Sequence, residues 1–139
     1  MLPRLILLAA LPLLLGNAPD PARLEVALAG LRSDHGLIRL CVWHGPSRFP
    51  GGKCDGESIV VPASDAVVKL PLAPGDYAIS LVHDENGNGK LDKNLFGIPT
   101  EGVGFSQNPK LSFGPPTYAA TRFDVAGDTS ETIRLKYFL

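Results

Sequence analysis

No stretch of this sequence carries an excess of positive charge. Thirteen Lys and Arg stand against fourteen Asp and Glu, for a net charge of −1. Without a basic stripe to neutralise phosphates, nucleic acid is excluded as a partner. Long hydrophobic runs are missing as well. The longest spans Leu5 to Leu15, interrupted only by Pro12, and at about eleven residues it cannot cross a bilayer as a helix. The two cysteines, Cys41 and Cys54, form no CxxC pair, which removes thiol exchange as a function class. The three histidines offer no HxH or HExxH spacing for zinc. His35, His44 and His83 read as surface or loop residues. Ser106 follows Gly104-Phe105 without the G-x-S-x-G context of a nucleophile elbow. Glu85, Asp92 and Glu101 are the acids and bases that remain, and acidic loop residues are usually solvated.

What is present begins with a start-of-chain signature. Arg4 precedes the apolar run, and the small residues Gly16 and Ala18 follow it at cleavage spacing. Residues 1–18 therefore read as a secretory signal peptide, cut after Ala18 or Gly16. That leaves 19–139 as one exported domain, periplasmic or secreted, with no transmembrane segment in the mature chain and an envelope or extracellular component as its partner. Neither cysteine lies near the apolar run, so a lipid-anchored start is not expected. In an oxidising compartment Cys41 and Cys54 favour a disulfide, helped by the Gly/Pro-rich stretch from Gly45 to Gly52 that can fold back between them. The alternative is two unpaired thiols, with Cys41 buried in a strand.

Period-two alternation governs the rest. Leu24, Val26 and Leu28 alternate with Glu25, Ala27 and Ala29; Ile38, Leu40 and Val42 alternate with Arg39, Cys41 and Trp43; Tyr77, Ile79 and Leu81 alternate with Ala78, Ser80 and Val82. Ser58–Val61, Ala66–Leu70, Thr117–Val125 and Glu131–Phe138 complete about seven short strands, separated by turns such as Pro74-Gly75-Asp76 and Gly127-Asp128. No long helix stands out. The pattern implies an all-β fold, a single antiparallel β-sandwich of immunoglobulin-like or prealbumin-like type. Between Asp84 and Pro116 lie 33 residues with six glycines and four prolines but no clear strand. A structureless segment of that length in a small domain is usually functional or disordered. Phe96, Phe105 and Phe113 argue for order, with Phe96 and Phe105 as buried anchors and room for a short strand or helical turn. Trp43, Phe49, Phe105 and Tyr118 could line a platform for a sugar, although core packing is the commoner fate of such residues.

The run from Asp84 to Asp92 carries the most specific chemistry. Counting Asp84 as position 1, Asn86 and Asn88 fall at 3 and 5, Gly89 at 6, Lys90 offers a main-chain carbonyl at 7, and Asp92 stands at 9. That is the order in which oxygens wrap a hard cation, and calcium is the cofactor it suggests. Position 12 is Leu95, where a calcium-binding hand needs a bidentate Glu, so Glu101 is the candidate for the completing carboxylate. Two or three charged ligands imply weak affinity, about 10⁻⁴–10⁻³ M. The competing reading is a metal-free turn whose Asn and Asp side chains cap their own backbone.

The segment Leu72-Ala73-Pro74-Gly75-Asp76-Tyr77-Ala78-Ile79, the run from His83 to Asp92 and the stretch from Phe96 to Ser106 together resemble the bacterial exported family called domain of unknown function 2141. The resemblance spans nearly the whole mature chain. It implies a small periplasmic or secreted β-sandwich and carries over no catalytic residues. The resulting expectation is a non-enzymatic module with a calcium-stabilised loop and a structural or binding role in the bacterial envelope. The reading set against it is a carbohydrate-binding protein or hydrolase that uses the 84–116 loop as its site.

Overall fold

The alternation becomes eight strands in the computed structural model, which describes Gly16, Ala18 and residues 20–139. The expected signal peptide, 1–18, lies outside the described residues apart from Gly16 and Ala18. In chain order the elements are β1 (Ala22–Ala29), β2 (Leu37–Trp43), β3 (Glu57–Pro62), β4 (Val67–Leu72), β5 (Gly75–Asp84), β6 (Gly102–Phe105), α1 (Tyr118–Thr121), β7 (Phe123–Val125) and β8 (Thr129–Arg134). They form two sheets. One runs β4-β1-β8; the other runs β3-β2-β5-β6, with β7 also paired to β5, beyond the end of β6. The fold is an all-β sandwich. Among the described residues no helix is long and apolar enough to cross a membrane.

The core lies between the inner faces of the sheets. Leu24, Val26 and Ile133 from one meet Ile38, Leu40 and Ile79 from the other, all with almost no exposure. Each such side chain contributes about 1.5–3 kcal/mol by leaving water. This is the alternation read from sequence.

Three local expectations require correction. The pairing is not antiparallel throughout, because β1 and β8 run parallel, Leu24 opposite Thr129 to Ala29 opposite Arg134. Alternation encodes which face a residue takes but not the direction of a distant partner. Thr117–Val125 is not one strand. Thr117 caps a helical turn by accepting the Ala120 N–H at 3.3 Å, and the strand begins only at Phe123. Tyr-Ala-Ala after a Thr cap is good helix chemistry that the β-rich surroundings obscured.

The third correction concerns Phe96, which is 87 % exposed, not buried. Its loop is ordered by polar bonds instead. Asn94 Oδ1 accepts the N–H groups of Phe96 and Ile98 at 2.9 and 3.0 Å, while Lys93 and Pro99 form an antiparallel bridge. Phe105 is buried as expected, in β6. Phe96→Ala should therefore leave stability within about 0.5 kcal/mol, the norm for a surface change. Urea denaturation checks this, and a loss of more than 2 kcal/mol would contradict it.

A second, smaller core sits on the outer face of the five-stranded sheet. Cys41 and Cys54 are bonded, with Cα atoms 5.8 Å apart, the pairing that the sequence favoured. Trp43, Ala78, Phe49 and Tyr118 pack around the bridge. Phe49 stands edge-on to Trp43, Phe105 and Tyr118, with centroids 5.7–6.3 Å apart. Trp43 and Phe105 are buried and Phe49 and Tyr118 half-buried against them, so these aromatics pack as a small core.

Candidate functional site

The acidic loop starts where β5 runs out of partners. Asp84 is the last residue of the strand, opposite Leu37 of β2, and its side chain shares the outer face with Arg39. Gly36 makes the close approach possible. With φ of +77°, it sits where any Cβ would stand 2.4 Å from the Asp84 carbonyl oxygen, so only glycine fits.

Asp84 is fully buried and fully engaged. Its Oδ2 accepts from Arg39 Nε at 2.5 Å and from the Gly89 N–H at 2.9 Å, and its Oδ1 accepts the Asn88 N–H at 3.0 Å. Burial by itself would raise the Asp84 pKa. The Arg39 guanidinium and the two backbone donors outweigh it and hold the carboxyl below the ordinary aspartate range.

The rest of the loop folds over this anchor. Asn86 Oδ1 accepts the Asn88 N–H and Asn88 Oδ1 accepts the Lys90 N–H, both at 3.1 Å, the local turn habit of Asn. Both amide groups then turn to Asp92, donating Nδ2–H to its Oδ2 at 2.7 Å each. Those two bonds lower the Asp92 pKa. Glu101 returns to the loop, and its Oε2 accepts the Asp92 N–H at 3.1 Å. Glu101 is 5 % exposed, and its Oε1 is buried without any hydrogen-bond partner. A bare carboxylate oxygen is costly in such a place.

Asp84, Asn86, Asn88, Asp92 and Glu101 thus form one hydrogen-bonded cluster. Lys90 contributes a backbone N–H to it, while Leu95 stands fully exposed away from it. Among the described residues, no three carboxylate, imidazole or thiolate groups gather as a ready-made metal centre. The set available to a cation is therefore carboxylates supplemented by amide and main-chain oxygens.

Arg39 went unnoticed in the sequence, where it read only as an alternating strand residue. A basic side chain on the neighbouring strand, diagonal to an acidic one, is visible only after pairing. His83 needs correction too, since it is fully buried rather than at the surface. Its ring sits on the opposite side of β5 from Asp84, between Tyr137 Oη on Nδ1 and the His35 carbonyl on Nε2, each at 2.7 Å. The carbonyl can only accept, so Nε2 carries a proton. Arg32 closes this end, stacked 4.5 Å above the Tyr137 ring and bonded to Glu85 Oε1 at 2.8 Å. The cluster is saturated with partners, which makes it a clasp for the last residues.

A family profile described as "Uncharacterized protein conserved in bacteria (DUF2141)" matches residues 26–134. No curated protein and no solved structure matches the chain.

Proposed function

The chain belongs to the DUF2141 family of bacterial proteins, and on that footing we propose that it is an exported, non-enzymatic binding module of the bacterial envelope whose acidic loop is stabilised by calcium. The observation that carries this reading is the unpartnered Glu101 Oε1, buried beside Asp92. A hard cation would supply what that oxygen lacks. In the same cluster the Asn86 and Asn88 amide groups hydrogen-bond the Asp92 carboxylate, a task that calcium would take over as the amides rotate to offer oxygen. Asp84, Asn86, Asn88 and Asp92 would provide side-chain oxygens, Lys90 its carbonyl and Glu101 the completing carboxylate. Arg39 already offsets part of the loop's negative charge, which agrees with weak affinity. The disulfide fits an oxidising compartment.

Millimolar calcium should raise the melting temperature. At ten times the dissociation constant a ligand of the folded state adds RT ln 11, about 1.4 kcal/mol. For a domain of this size that is roughly 3–6 °C. Magnesium should do less, because it demands a tighter octahedral shell and releases water reluctantly. Asp92→Ala, at a partly exposed position, should abolish the shift. If the wild type shows no shift up to ~10 mM calcium, the loop is a capped Asn-Gly turn without metal.

A further inference from the structure

Beside the acidic loop, the outer face of the five-stranded sheet is left open as a groove of about 670 Å³. Its floor is Ser80 and Val82 of β5 with Val103 and Phe105 of β6, four residues that pair across the two strands. Three loops raise its walls: Pro50-Gly51 on one side, Leu91 to Pro99 on another, Leu111 to Pro115 on the third. Phe96 and Phe113 stand on the rim, 87 % and 105 % exposed. Two phenylalanines held in water on separate loops around one apolar groove mark a binding site.

The chemistry of the lining selects the occupant. Lys93 is the groove's single charged residue, and no Asp or Glu lines it. Lys93 forms no ion pair among the described residues. Besides Lys93, its polar side chains are only two serines, Ser112 and Ser80, whose Oγ already accepts from Trp43 Nε1 at 2.8 Å. A sugar would bury hydroxyls here with almost nothing to bond them. An added peptide strand would need an open edge, but along this floor β5 is paired on both sides by β2 and β6, and the outer edge of β6 is bridged to Lys136 through Val103. We propose that the groove binds a single-chain amphiphile with an anionic head, of which a long-chain carboxylate is the simplest, its tail along Val82, Val103 and Phe105 and its head on Lys93. The inference rests on the groove alone and is independent of calcium.

Titration calorimetry with octanoate, decanoate and dodecanoate, each below its micelle concentration and in EDTA, tests it. One-to-one binding is expected, tightening about fourfold per methylene, the factor that follows from the burial of one CH₂. Dodecyltrimethylammonium should bind at least about tenfold more weakly than dodecanoate, because its charge meets Lys93 with the wrong sign. Lys93→Gln, at an exposed position, should erase that preference while keeping the chain-length dependence. Phe96→Ala and Phe113→Ala should each weaken dodecanoate by about tenfold, with circular dichroism unchanged. The proposal is overturned by an absence of saturable binding, by affinity that ignores chain length, or by equal affinity for the cationic amphiphile. Association with phosphatidylglycerol vesicles but not with the monomeric carboxylates would overturn it as well, in favour of a membrane surface.

Discussion

Trp43→Ala is expected to cost about 3–5 kcal/mol, the range for truncating a large buried aromatic. Trp43 is 1 % exposed, stands edge-on to Phe49 with centroids 5.7 Å apart, and donates its indole N–H to Ser80 Oγ. Nothing nearby can close the space, because Cys41 and Cys54 tether the surrounding loop to β2. The truncation therefore leaves a cavity instead of a collapse. For this chain length the melting temperature should fall by roughly 6–20 °C. Trp43→Phe keeps most of the volume and loses the hydrogen bond, so it should cost clearly less, about 1–2 kcal/mol. Urea midpoints of the two variants measure the difference. A Trp43→Ala loss below about 1 kcal/mol would mean that the outer cluster is not a second core.

Asp84→Ala should cost about 2–4 kcal/mol at neutral pH. The substitution leaves the Gly89 N–H and the Arg39 guanidinium without the acceptor that they share, while the Asn88 N–H keeps only Asn86 Oδ1, and each stranded donor has its own penalty. The effect must depend on pH in one direction. Asp84 has a folded pKa below its unfolded value, so its ionised form contributes fully above the ordinary aspartate pKa, near 3.9. That contribution is lost as pH falls from there through the folded value. Wild type and Asp84→Ala should therefore differ most above about pH 5 and converge toward pH 2. Stability measured by denaturant midpoint across that range checks the sign. A difference that widens in acid would overturn the assignment of Asp84 as a buried, ionised anchor.

Much of the candidate site was legible because its chemistry is local. Asp84, Asn86, Asn88 and Asp92 lie within nine residues, and short Asn and Asp side chains bond their own backbone wherever the chain turns. The spacing alone therefore located the cluster. Glu101 was reachable by the same logic, since the loop had to return to β5 somewhere near it. The groove was not legible. Val82, Val103, Lys93 and Phe113 are scattered over 32 positions of sequence, and each by itself reads as an ordinary strand or loop residue.

By itself the sequence determined the class of fold, the faces of its central strands and the place of the acidic turn, and it favoured the disulfide. All of these follow from period-two burial, redox chemistry or contacts between near neighbours. Tertiary structure alone decided the parallel pairing of β1 with β8, the union of Arg39 with Asp84, the burial of His83 and the exposure of Phe96. Each of these depends on which distant strand or loop arrives alongside. An apolar side chain signals burial only when something covers it, and around Phe96 the covering was supplied to the backbone by Asn94 and not to the ring.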